Sequence, residues 1–236
     1  MSDHLNQNPT DYLVAIAKAA LGMVPFAGSL LAELAGTVIP RQRVDRLVDF
    51  CQKLESKTSE LDQDLIRAKL ADENFTDLLE ETARSAAQAV TTDRREYLAS
   101  LLASGVTEDH VSFVESKHLL RILGQINDIE VIWLRFYNLP YMNGDDIFRN
   151  RHASVLDPIA AHLGSDQATL DKRALQENYT EHLISLGLLK RPLQVDTKTG
   201  YPLFDKMKRS WQTQGTQTTT LGRLLLMHIG LHTLPV

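Results

Sequence analysis

From Val44 the apolar residues recur at alternating steps of three and four: Val44, Leu47, Cys51, Leu54, Thr58, Leu61, Leu65 and Ala68. Only an α-helix brings positions so spaced onto one stripe, and a stripe sustained for several heptads needs a second helix to cover it. The spacing predicts a long helix over residues 41–70. Pro40 suits its first turn, where a missing N–H costs no intrahelical bond. The flanking Arg43, Asp45, Arg46, Asp49, Lys53, Glu55, Lys57 and Glu60 read as solvated charge. The candidate seam (Val44, Leu47, Cys51, Leu54, Leu61, Leu65) pairs within the chain or with a second copy, so a protein partner or self-assembly is expected.

Before this helix lies the most apolar stretch, residues 12–39, YLVAIAKAALGMVPFAGSLLAELAGTVI. Its only charges are Lys18 and Glu33, and Gly22, Pro25 and Gly28 interrupt it. Proline removes a donor and clashes with the preceding turn, so two helices of about ten residues are expected instead of one. Neither reaches the roughly 20 residues that span a bilayer. The hairpin residues Met23, Phe26, Leu30, Leu31 and Leu34 are either core or a surface for membrane contact. Arg41, Arg43 and Arg46 behind them suit an anionic bilayer, diluted by Asp45 and Asp49.

Shorter helices follow. Residues 73–90 place Phe75, Leu78, Leu79, Thr82, Ala86 and Ala89 on one face. Asp93 with Glu96 reads as a capping box for a helix ending at Gly105. Another helix covers 108–125. Asn127 with Glu130 repeats the cap signature, opening a helix that Pro140 ends. Residues 141–152 read as a loop, and Asp157-Pro158 as the start of a short helix ending at Gly164.

The last third differs in kind. An amphipathic helix over 166–186 stops at Gly187. Leu188 to Val195 is extended, 196–211 is a long connection, and the β-branched run Thr216–Thr220 leads into a final helix. Helix, strand, long connection, strand, helix is the order of a winged helix with an enlarged wing. The expected fold is therefore mainly α: a multi-helix body over 1–125 with the apolar hairpin and heptad helix, then a winged-helix-like α+β unit over 126–236.

Composition excludes several classes. One cysteine forms no disulfide framework. The polar start MSDHLNQNPTD is no secretory signal, so a cytoplasmic location is expected, with a position peripheral to the inner membrane as the alternative that the apolar hairpin leaves open. Glycines 22, 28 and 36 lack a phosphate-loop context, and no G-x-S-x-G elbow occurs. His228 and His232 are four apart but have no third ligand nearby. Asp145 and Asp146 read as turn residues, and Cys51 as a buried thiol. No catalytic residue, cofactor or metal is expected.

The net charge of −5 conceals an asymmetry: residues 187–236 carry +5 and the rest −10. The cations Lys198, Lys206, Lys208 and Arg209 are candidate nucleic-acid contacts of a basic wing. Against this, the helix over 166–186 holds Asp166, Asp171, Glu177 and Glu181 against Lys172 and Arg173, an acidic surface ill suited to a major groove. DNA binding is the second expectation behind protein docking.

Three runs carry a resemblance. In RREYLASLLASGV the positions are Arg95, Glu96, Ala99, Leu101, Leu102 and Ala103, and in HVSFV they are His110, Ser112, Phe113 and Val114. Later come Leu183, Leu186, Gly187 and Leu188, and then Thr220, Leu221, Gly222 and Arg223. Together, over residues 90–232, they resemble bacterial abortive-infection alpha-type proteins. The resemblance implies a non-enzymatic role in antiviral defence through assembly or membrane contact.

Overall fold

The computed structural model describes residues 43–107, 113–138, 145–162, 164–207 and 209–231. The apolar hairpin residues Met23, Phe26, Leu30, Leu31 and Leu34 lie outside the described residues, as do Lys208 and His232. The described chain is mainly helical, with ten helices and a small C-terminal strand region. It divides after Gly124 into two compact units, the first also taking in His228–Gly230.

In the first unit, α1 (Val44–Thr58) is followed by α2 (Gln63–Leu70), α3 (Glu73–Gln88), α4 (Thr92–Thr107) and α5 (Phe113–Gln125). The expected long helix is two helices. Thr58 and Ser59 turn their hydroxyls back onto the carbonyls of Leu54 (2.9 Å) and Ser56 (3.3 Å). Asp62, in extended conformation, then caps a new helix by accepting from the Asp64 N–H at 2.8 Å. Such hydroxyl and carboxylate side chains offer the backbone an alternative to further helix, and here that alternative prevails over the heptad spacing.

The break divides the seam. Val44, Leu47, Cys51 and Leu54 are buried, whereas Leu61 is half-buried and Leu65 is 38% exposed. In α2 the buried residue is Ile66, one position off the seam. The covering helices belong to the same chain: α1 packs chiefly against α4 and also against α3. Val44, Leu47, Cys51 and Leu54 are therefore part of the chain's own core.

Helix α4 is buried on nearly every side, including Tyr97, Leu98, Ala99, Leu101, Leu102, Ala103 and Val106, as befits a central helix. Its cap is Thr91, which accepts from the Arg94 N–H at 3.2 Å; Asp93, the expected cap, sits inside the first turn. The helix also passes through Gly105 to Thr107. Helix α3 buries the face read from the sequence, with Phe75, Leu78, Leu79, Thr82, Ala86 and Ala89 all covered.

The second unit opens with α6 (Asp128–Asn138) on the expected capping box. The Asn127 N–H donates to Glu130 Oε2 at 2.7 Å, and the Glu130 N–H to Asn127 Oδ1 at 2.9 Å. Next come α7 (Asp146–Arg151), where a loop was expected, and α8 (Ala153–Leu156). Asp157-Pro158 ends a helix instead of opening one: Asp157 is extended, as a residue before proline prefers. The extended stretch is laced to α9 (Gln167–Ser185), whose Gln176 donates to the carbonyls of Val155 and Asp157 and accepts from the Ile159 N–H.

Gly187 ends α9 with φ 72°, the left-handed conformation that glycine adopts without a Cβ penalty. The Gly187 N–H reaches Ile184 O and the Leu188 N–H reaches Leu183 O, at 2.9 and 3.0 Å. Strand β1 (Leu189–Lys190) pairs antiparallel with β4 (Gln217–Thr218). Between them, β2 (Phe204–Asp205) pairs with β3 (Ser210–Trp211), with bridges at Leu193–Thr213 and Val195–Pro202. Helix α10 (Thr220–His228) closes the order.

Candidate functional site

Three groups of residues carry what chemistry the described chain offers: an ion-pair ladder, an aromatic groove and a basic ribbon. The ladder lies in the first unit. Asp49, Lys53 and Lys57 recur every four residues along α1, beside the buried stripe. Arg95 Nε bonds Asp49, and its Nη1 also donates to the carbonyls of Ala89 (2.9 Å) and Val90 (3.2 Å). Lys53 lies 3.8 Å from Asp49 and 3.3 Å from Glu96; Lys57 lies 2.6 Å from Glu96. Burial pushes the Glu96 carboxyl up, but Lys57 and then Lys53 outweigh it and hold it below its ordinary value. These charges, expected to be solvated, fasten α1 to α4. Arg95 and Glu96 of the resemblance are thus fastening residues.

Of the residues considered for catalysis, Cys51, Asp145 and His228 are buried or bonded within the fold. Burial pushes the Cys51 thiol up, away from the thiolate a nucleophile needs. Asp145 accepts from Arg135 Nε at 3.0 Å, while Asp146 is exposed. Two cation–aromatic contacts join α6 and α7: Arg135 lies 4.2 Å from the Phe148 ring and Arg149 lies 4.5 Å from Phe136. His228 is buried. Among the described residues no group of three His, Cys, Asp or Glu could hold a metal. Nor is any described helix long and apolar enough to cross a membrane.

The groove lies in the second unit, between α6 and α9, with a volume of about 800 Å³. Trp133, Phe136 and Tyr137 form its aromatic wall; Trp133 meets Phe136 edge-on at 5.4 Å and stacks on Tyr137 at 5.8 Å. Glu177, Glu181 and Arg191 make the polar rim, with Arg191 bonded to Glu181 and Arg173 at 2.8 Å from Glu177. The same two helices are joined by His182 Nδ1, which lies 2.6 Å from Glu130 Oε1 of the carboxylate that completes the α6 cap. Beside the groove, α9 is exposed through its first turns. Leu170 is 41% and Leu175 55% exposed, and Ala168 and Ala174 are also uncovered. Sequence reading missed the groove. Its aromatic residues were visible in IEVIWLRFYN, but the helix that walls them in begins more than two dozen residues later.

The ribbon is built around a cycle of backbone bonds. The Gln194 N–H donates to Gln212 O, the Gln212 N–H to Leu203 O and the Leu203 N–H to Gln194 O, each at 2.8 Å. Three strand pairs leave this junction: the β1–β4 ladder, the turn after Val195 and the β2–β3 hairpin. Lys198, Lys206 and Arg209 are exposed on the two turns, Arg209 with φ 52°. Asp196 accepts from the N–H groups of Thr199 and Lys198, which hold its carboxyl below the ordinary value, and Asp205 accepts from the Met207 N–H. No family model, curated protein or solved structure matches the chain.

Proposed function

We propose that the chain is a non-enzymatic interaction and assembly protein, serving as an anti-phage effector or accessory factor of the abortive-infection type through assembly or membrane contact. The observation that carries this reading is the exposed first half of α9 beside the aromatic groove. Uncovered Leu170 and Leu175 on the helix that walls a groove lined by Trp133, Phe136 and Tyr137 suit a docking surface, where aromatic anchors dominate binding. The C-terminal order of helices, ladder and ribbon supports a winged-helix reading of this unit, and the exposed apolar and acidic α9 favours protein over DNA as its target.

A Leu170→Glu/Leu175→Glu variant tests this. Both side chains are exposed, so thermal melting is expected to stay within about 0.5 kcal/mol of wild type. Self-association measured by light scattering, and protection of a bacterial host from phage, are expected to fall together. A wild type that stays monomeric and gives no protection overturns the proposal.

A second reading, a winged-helix DNA-binding regulator, is favoured by the exposed cations of the ribbon. It predicts salt-dependent retention of duplex DNA that weakens when Lys198, Lys206 and Arg209 are neutralised. No mobility shift at low salt removes it.

A further inference from the structure

The ribbon exposes more apolar surface than a phosphate-binding wing has use for. Met207 is 97% exposed at the β2–β3 turn, and Tyr201 is 75% exposed where the other turn returns. Behind them Phe204 (47%) and Trp211 (53%) face each other across the hairpin, and Leu193 and Val195 are 42% and 45% exposed. Lys206 and Arg209 flank Met207, and Lys198 lies in the same turn as Tyr201. The two acids of these turns, Asp196 and Asp205, point their carboxylates at turn N–H groups, so the outward charge is cationic.

We propose that this ribbon is an interfacial anchor: Met207, Tyr201, Phe204 and Trp211 enter the headgroup region of an anionic lipid surface, while Lys198, Lys206 and Arg209 stay at the level of its phosphates. The division follows from the side chains. Long cationic stems keep their charge at the polar boundary while apolar tips go deeper, and aromatic residues favour that boundary. Polybasic residues add attraction to acidic lipid that falls off within a Debye length.

Single-stranded nucleic acid, the other polyanion that combines with aromatic side chains, is less well served. Base stacking needs open ring faces. Phe204 and Trp211 meet edge to face, with centroids 5.1 Å apart and planes at 77°, so one ring face of the pair is already taken. A fully exposed thioether at the tip gains nothing from phosphates but gains from a lipid interface. The proposal is independent of the docking role of α9.

The test uses full-length protein and vesicles of phosphatidylcholine with or without phosphatidylglycerol. Binding is expected only with the acidic lipid, and Met207→Asp is expected to weaken it at least tenfold. Neutralising Lys206 or Arg209 is expected to weaken it about fivefold each, and added salt is expected to reduce binding further. Met207 is exposed, so an unchanged melting curve separates lost binding from lost fold. Trp211 is the exposed one of two tryptophans, and brominated lipid is expected to quench it in wild type but to quench Trp211→Phe much less. The Leu170→Glu/Leu175→Glu variant is expected to bind vesicles as wild type does, which separates this anchor from the docking surface. Absence of binding to acidic vesicles, undiminished binding by Met207→Asp, or quenching of Trp211 by an oligonucleotide but not by brominated lipid would each overturn the proposal.

Discussion

Gly222 has a reason that no helix propensity supplies. A Cβ there would lie 2.3 Å from the Leu188 carbonyl oxygen, 2.8 Å from Thr218 Cγ2 and 3.2 Å from Leu134 Cδ1. Thr219 prepares this approach: its Oγ1 donates to Gly187 O at 2.7 Å and accepts from the Gly222 N–H at 3.0 Å, seating α10 directly on the start of β1. Gly222→Ala should therefore act as overpacking and lower unfolding free energy by about 1–3 kcal/mol in a urea titration. An unchanged midpoint would show that α10 can move away from Leu188. The run TTTLGR marked a helix start, yet the need for glycine was invisible, because the atoms it would strike come from residues up to 88 positions earlier in the chain. Cys51 is the opposite case. Its place on the stripe already announced burial, and its thiol is expected to resist alkylation until the protein unfolds.

Where helices begin and end was legible when a side chain within one turn decided it. Asn127 with Glu130 and Gly187 after α9 were read correctly for that reason, whereas Asp166, which caps α9 by accepting the Thr169 N–H at 2.8 Å, was read only as one of the acids of that helix. The heptad run misled because periodicity records which residues share a stripe, not whether the helix carrying them is continuous. Ser59 to Asp62 interrupts it, and everything downstream leaves the stripe. Paired substitutions test the break. Leu54→Asp places a carboxylate in the core and is expected to cost several kcal/mol, about 3 or more, or to prevent folding. Leu65→Asp, at a partly exposed position, should change stability by about 0.5 kcal/mol or less. Equal damage from both would restore a continuous seam.

For the molecule as a whole, the division of charge into −10 and +5 was available from composition, but its uses were not. Part of the acidic excess is bound into the Arg95–Asp49–Lys53–Glu96–Lys57 ladder. Glu96 is held below its ordinary value in the fold, so its contribution is fully present above the unfolded-state value and is lost as pH falls through the lower folded value. Urea midpoints should therefore decline as pH drops below roughly 4. Glu96→Gln should remove part of that decline and, because the carboxylate is 41% exposed and screened, cost no more than about 1 kcal/mol at neutral pH. A variant whose acid titration superimposes on that of wild type would remove Glu96 from the ladder.

Residue order alone settled that the chain is mainly helical, that its C-terminal third turns to short strands, and that Asn127 with Glu130 opens one helix and Gly187 closes another. These depend on interactions within about four residues, so a local pattern carries them. It did not settle what covers Val44 to Leu54, which charges are solvated, or that the aromatic residues of α6 share one groove with Ala174, Glu177 and Glu181 of α9. Those depend on partners such as Asp49 and Arg95, 46 residues apart, and Glu130 and His182, 52 apart. The ribbon goes furthest in this direction. Its junction is held by backbone groups, which every residue possesses, so no side-chain pattern could have announced it.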